Sequence, residues 1–209
     1  MNYDVAIAID VASKRSMRLN YWNDTWPLSE EDCPCDLHFL EYLDKRHVYG
    51  KAIFHFGTGE HHILGIENAR RPFENRNYIL GVTASKKEHE AYVQLILNRA
   101  RLAVHYKVMF VDIYTMTSRL LPLFDIVTLF HLCEFYDPVR SRYAPLDDAK
   151  LLRMFLLKLK RSGRILFYTG SSHFDRARSI IDAFVKRGWL RKTANYKTLE
   201  VYGLALRVR

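Results

Sequence analysis

Four short clusters in this sequence carry residue types that can bind a ligand or move a proton. Gly57-Thr58-Gly59 places two glycines around a hydroxyl. Glycine admits positive φ and lets a ligand lie against the backbone, and a helix starting just after it offers unpaired N–H groups. Thr83-Ala84-Ser85 supplies two hydroxyls. Asp112-Ile113 supplies a carboxylate that can accept a hydrogen bond from a ribose hydroxyl or an exocyclic amine, or can cap a turn. His131-Leu132-Cys133-Glu134 supplies an imidazole that titrates near neutral pH, with a carboxylate three residues on to orient it or a substrate amine. His131 and Glu134 are therefore the candidate acid–base residues. Trp22, Trp26, Phe135 and Tyr136 can line an apolar pocket or simply pack.

A metal centre is not expected. The cysteines are Cys33, Cys35 and Cys133. Cys33-Pro34-Cys35 is spaced too closely for an ordinary disulfide, and an odd count argues against a secreted disulfide framework. A closed zinc site takes four ligands, and there is no second cysteine pair. His61 and His62 are adjacent, so on a helix they point in different directions. Free thiols in a reducing compartment follow as the expectation.

These clusters fall at the ends of regularly patterned segments. Spacing of Leu37, Leu40, Tyr42 and Leu43 predicts an amphipathic helix over 36–45. Strands are predicted at 51–56, 78–82, 108–111, 124–130 and 164–168. A helix begins at Ser85, with Glu88 completing a capping box and Val93, Ile96, Leu97 and Ala100 as its buried stripe. Asp147 caps another, striped by Leu152, Phe155, Leu156 and Leu159, with Lys158, Lys160 and Arg161 in its last turn and Gly163 as its stop. A third helix starts at Ser172 with Asp175, buries Phe174, Ala177, Ile181 and Phe184, and ends at Gly188. Residues 189–192 and 199–206 pair as a closing hairpin around Asn195. The strand runs are short and continuously apolar, as in strands covered on both faces. Alternation of strand and helix predicts right-handed crossovers and a mostly parallel sheet, with ligands bound beyond the carboxyl ends of the strands. Within 1–31 only Val5 to Ile9 forms an apolar run, with no evident partner; the segment suits a lid, an extra helix or an oligomer contact.

Bulk properties agree with one globular α/β domain. The chain has 209 residues, 49% hydrophobic and 26% charged, enough to bury a core without staples. A formal charge of +9 admits nucleic acid or an acidic partner, but the basic residues are scattered, with the densest groups near Lys158–Arg164 and Lys186–Lys192. No stretch approaches the ~20 apolar residues of a membrane span, and the start lacks the basic and apolar run of a signal peptide. A cytoplasmic protein without membrane association is expected.

In their order the segments resemble the class I S-adenosylmethionine-dependent methyltransferases. Residues 51–59 are similar to that family's first strand and glycine motif, 79–85 to its second strand, and Phe110-Val111-Asp112 to its third. Residues 124–134 resemble its fourth strand and following turn, 157–170 its fifth strand, and 189–206 its terminal hairpin. The resemblance covers residues 45–209. It implies a doubly wound, mostly parallel seven-stranded sheet with helices on both faces and a C-terminal antiparallel hairpin. Residues 1–45 would form an N-terminal extension and 46–209 the methyltransferase-like domain. It implies S-adenosylmethionine as cofactor, lying across His55, Gly57, Thr58, Gly59, Thr83, Ala84, Asp112, Ile113, Phe130 and His131. His131 or Glu134 would serve as base where the nucleophile is protonated, on a small-molecule substrate. Three positions depart from the family pattern: His55 replaces the acid before the glycines, His61 stands at the third glycine, and Thr83 replaces the ribose-binding acid. The alternative is an inactive member serving as a binding or scaffold subunit, for nucleic acid or an acidic protein, and a homo-oligomer is open. A nicotinamide-dependent dehydrogenase fits less well: it wants a third glycine near position 62 and an acid about 20 residues on.

Overall fold

The computed structural model describes residues 3–9 and 16–205. Strands β1 (Tyr3–Ile9) and β2 (Ser16–Trp22) pair antiparallel as a two-stranded sheet. The apolar run at Val5 thus has a partner. Its signal was the alternation Met17, Leu19, Tyr21, which a search for continuous apolar runs misses.

The main sheet holds β3 (Ala52–Phe56), β4 (Tyr78–Thr83), β5 (Tyr106–Phe110), β6 (Phe124–Thr128), β7 (Leu159–Tyr168), β8 (Leu190–Tyr196) and β9 (Leu199–Leu204). Their order is β5-β4-β3-β6-β7-β9-β8. The first five strands in that order are parallel; β9 runs antiparallel to both β7 and β8. This is the doubly wound sheet with a terminal hairpin that the sequence predicts.

Alternation along the strands divides the core between two faces. Phe54, Val127, Ile165 and Phe167 pack under α4 (Asp148–Leu157) and α5 (Phe174–Lys186). Ile53, Ile79, Ile126 and Leu166 pack under α1 (Cys35–Lys45) and α2 (Ile63–Arg70). Phe54 and Phe155 meet with ring centroids 4.2 Å apart. A fully buried Phe or Leu of this kind contributes roughly 1.5–3 kcal/mol. Strand order reverses between β3 and β6, so the carboxyl ends of these two strands splay apart into a crevice.

Three local expectations are corrected. Helix α3 (Lys86–Asn98) is rotated from the expected stripe: Val93 and Leu97 are 39% and 71% exposed, while Glu88 is buried and Tyr92, Leu95 and Ile96 face the core. Tyr92 against Tyr106, at 5.7 Å between centroids, anchors that rotation. Asp147 does cap α4, accepting from Lys150 N at 2.8 Å, but the helix ends at Leu157 and residues 159–163 already belong to β7. Lys160 lies in that strand, and its ammonium pairs with Asp125 on β6 at 2.7 Å. The closing hairpin turns at Lys197-Thr198 rather than Asn195, with Lys197 at φ +49°; Leu206 lies outside the described residues.

Candidate functional site

Strand β3 leads through Phe56 into Gly57 (φ +83°) and Gly59 (φ +58°). A Cβ at Gly57 would lie 2.8 Å from His131 Cδ2, and one at Gly59 would lie 2.3 Å from His61 Nε2. Both glycines are thus required by close approach as well as by φ, and an imidazole covers each. The His61 Nδ1 accepts from the Ile63 N–H at 3.2 Å, at the entrance to α2. His62, at φ +46°, points the other way. Its Nε2–H donates to the Glu88 carbonyl at 2.8 Å, so its Nδ1 accepts from the Tyr106 hydroxyl at 2.8 Å.

At the end of β4, the Thr83 hydroxyl donates to Glu88 Oε2 at 2.6 Å and accepts from the Ser85 N–H at 2.9 Å. Ser85 caps α3 by accepting from Glu88 N. The reciprocal half of the expected capping box is absent: the Glu88 side chain turns to Thr83 and to the backbone of Trp26. Burial raises the Glu88 carboxyl above its usual range, against these hydrogen bonds. At the end of β5, Asp112 accepts from Tyr114 N at 3.0 Å and from the Tyr143 hydroxyl, and burial again raises its pKa.

Beyond β6, His131 Nδ1–H donates to Glu134 Oε2 at 2.9 Å, and the Ser171 hydroxyl donates to Glu134 Oε1. Burial opposes charge on His131, but the hydrogen bond to Glu134 and its negative neighbours win, raising the imidazole to about 9. Burial likewise opposes charge on Glu134, but the hydrogen bond from His131 keeps it below the usual carboxylate range.

Gly57, Gly59, Thr83, Ala84, Asp112, Ile113 and His131 line one cleft, together with Glu88. Four other expected site residues do not line it. The His55 side chain points to the α1 face and bonds Thr128 Oγ1 at 2.8 Å; its desolvation pushes the imidazole down to about 3. Thr58 packs its methyl beneath Gly81. Phe130 packs on Phe39. Glu134 stands behind His131. The cleft is roofed by aromatic residues: Phe135 lies 4.8 Å from Trp22 and 5.8 Å from Trp26, centroid to centroid. The segment is tied down by Trp22 N to Ala84 O (2.9 Å), Ser85 Oγ to Asp24 O (2.7 Å) and Glu60 N to Trp26 O (3.2 Å). Free space under this roof is about 60 Å³, room for a few waters.

Two features are not visible in the local sequence pattern. That pattern assigns Glu88 to a capping box, although it is an acid five residues after the strand end that lacks one. Cys33 and Cys35 have no further ligand nearby in sequence, yet the fold brings His131 to them, the three side-chain donor atoms lying within 4.8 Å of one another. Chain distance hides that grouping. Asp36 adjoins it, fully buried, with His55 Nε2 at 3.5 Å and His61 Nε2 at 3.8 Å; burial raises its carboxyl to about 8.

No family model and no curated protein matches the chain. Solved structures do. A protein of Methanococcus maripaludis, inferred to be an S-adenosyl-L-methionine-dependent methyltransferase, superposes with a TM-score of 0.57 at 11% identity, over 81% of this chain and 84% of its own. Ribosomal protein L11 methylase from Lactobacillus delbrueckii subsp. bulgaricus gives 0.53 at 12%, over 90% and 95%. The fold is that of the class I methyltransferases. It does not by itself fix the reaction: precorrin 8W decarboxylase from Methanobacterium thermoautotrophicum shares the methyltransferase fold equally well, with a TM-score of 0.55 at 12% identity over 88% and 96%.

Proposed function

We propose that the chain is an S-adenosylmethionine-dependent methyltransferase acting on a small molecule, with the cleft at the ends of β3 to β6 as its cofactor site. The observation that carries this reading is the Glu88 carboxylate, which lies against Thr83 at the strand end where the methyltransferase fold takes a ribose-binding acid. Glu88 would accept from the ribose hydroxyls, Asp112 would accept from the adenine amine, and the bare backbone at Gly57 and Gly59 would allow close approach. When bound, the cofactor supplies an activated methyl group. The protein aligns the acceptor and excludes water. Trp22, Trp26 and Phe135 do the excluding. They must also yield for entry, since about 60 Å³ of free space compares with roughly 300–1,000 Å³ for ligand pockets.

The crowding favours a second reading, in which the methyltransferase fold serves as a binding subunit for nucleic acid or an acidic protein. Calorimetry with S-adenosylmethionine and S-adenosylhomocysteine, on the wild-type chain and on Trp26→Ala, separates the two. Micromolar binding, tighter in Trp26→Ala, supports the enzyme. Absence of binding by both folded proteins overturns it and moves the search to RNA, where a steep salt dependence would report phosphate contacts.

A further inference from the structure

We propose that Cys33, Cys35 and His131 form a zinc site beside the cleft, with three protein ligands and one open coordination position. The ligands come from two places far apart in sequence, the segment entering α1 and the turn after β6. Their ligand atoms nevertheless lie within 4.8 Å of one another.

The sulfur separation points to a chelate. Cys33 Sγ and Cys35 Sγ are 3.5 Å apart. A disulfide would need about 2.05 Å. Two thiolates bound tetrahedrally to zinc at about 2.3 Å stand ~3.8 Å apart. The Cys-Pro-Cys segment therefore already holds a bite close to that of the bound metal. Two soft thiolates and a borderline imidazole select zinc over magnesium or calcium.

His131 is held as metal-binding histidines are held. Its Nδ1–H donates to Glu134 at 2.9 Å and Ser171 fixes the far oxygen of that carboxylate. A carboxylate behind a histidine sets the ring's orientation and raises its basicity toward the metal. Nε2 is left as the ligand atom, and it faces Gly57: a Cβ there would stand 3.3 Å from it. Glycine at 57 keeps the approach to Nε2 open. Asp36, with an oxygen 3.8 Å from Cys35 Sγ, adjoins the ligand set from its buried side. The count of three protein ligands is that of zinc sites that keep a position for water or substrate. Of the three ligands, His131 also lines the cleft, so the imidazole joins the two sites. Two thiolates balance the charge of Zn²⁺, and loading releases the protons that the free ligands carry.

The test is metal content and Co²⁺ spectroscopy on the full chain, neither of which depends on cofactor binding. Wild-type protein is expected to hold one equivalent of zinc through dialysis, and after chelation to take up Co²⁺ with thiolate charge-transfer bands and tetrahedral d–d bands. Cys33→Ser and Cys35→Ser should lower affinity at least tenfold, and Glu134→Gln about 10- to 100-fold through the ligand's support. Cys133→Ser removes a thiol outside the cluster and should leave zinc content unchanged. Should the cysteine variants not fold, the wild-type Co²⁺ spectrum decides alone: bands lacking thiolate character overturn the site. It is equally overturned by folded, fully reduced wild-type protein that takes up neither metal, by a Cys33–Cys35 disulfide in its place, or by zinc content unaltered in Cys33→Ser and Cys35→Ser.

Discussion

The Thr83 hydroxyl donates a 2.6 Å hydrogen bond to the carboxylate of Glu88, and this contact puts an acid at the end of β4 although the strand itself ends in threonine. The acid reaches the position from the first turn of α3. Its partners there are neutral donors, so a ligand hydroxyl can share the carboxylate. Glu88→Gln keeps the shape and the Thr83 contact but removes the charge. Cofactor affinity is expected to fall about 10- to 100-fold, the worth of a hydrogen bond to a charged group. Calorimetry with S-adenosylhomocysteine reads this, and unchanged affinity would take Glu88 out of the site.

Asp112 offers a second handle on the same cleft. Its two oxygens are engaged by Tyr114 N and the Tyr143 hydroxyl, so a ligand amine competes with Tyr143. Asp112→Ala should weaken cofactor binding about tenfold, and Tyr143→Phe should strengthen it, each by roughly one hydrogen bond. Equal affinity for wild type and a folded Asp112→Ala variant would remove Asp112 from the site.

Asp148 gives a pH signature away from the cleft. It accepts from the Tyr114 hydroxyl at 2.7 Å and from Cys133 N at 3.1 Å, yet burial raises its carboxyl above the usual range. The folded state thus keeps its proton to higher pH than the unfolded chain, whose carboxyl titrates near ~3.9. Below that value the contribution is fully present, and it is lost as pH rises through the folded value. Asp148→Asn cannot ionise, so its stability advantage over wild type should grow as pH increases from about 4 and then level off. Urea unfolding across that range would show it. A shrinking advantage would mean that the hydrogen bonds outweigh burial.

Gly65 lies inside α2, where alanine ordinarily stabilises a helix by about 1 kcal/mol. Here a Cβ would stand 2.1 Å from the Tyr106 ring, and that ring is buried and tied to His62. Gly65→Ala is therefore expected to cost about 1–3 kcal/mol through overpacking. The readout is a lower urea midpoint at unchanged slope; a higher midpoint would show that Tyr106 can yield.

The alternation of strands and helices was legible because covered parallel strands read as apolar runs, and the cleft's position follows from that order alone. Gly57, Gly59, Thr83 and Asp112 stand at, or within three residues of, the carboxyl end of a strand, where the alternation places ligands. Residues whose role depends on rotation or on distant partners were not. Val93 and Leu97 mimic a buried stripe, but Glu88 and Tyr92 set how α3 sits. The Phe135 roof over the cleft requires Trp22 and Trp26 to cross the sheet's carboxyl edge, which no local pattern encodes. Cys33 and Cys35 meet His131 across nearly 100 residues of chain.

Strand β9 is the latest element along the described chain, yet it lies between β7 and β8. Each of those strands finds its antiparallel neighbour only in residues 199–204. On a ribosome, the sheet therefore stays open along β7 until those residues emerge, and β8 has no strand to pair with before them. A nascent chain halted ahead of Leu199 would expose a long unpaired edge beside Ile165 and Phe167, a template for association with other chains. In order of synthesis, the strand that covers this edge is the last of the sheet to emerge.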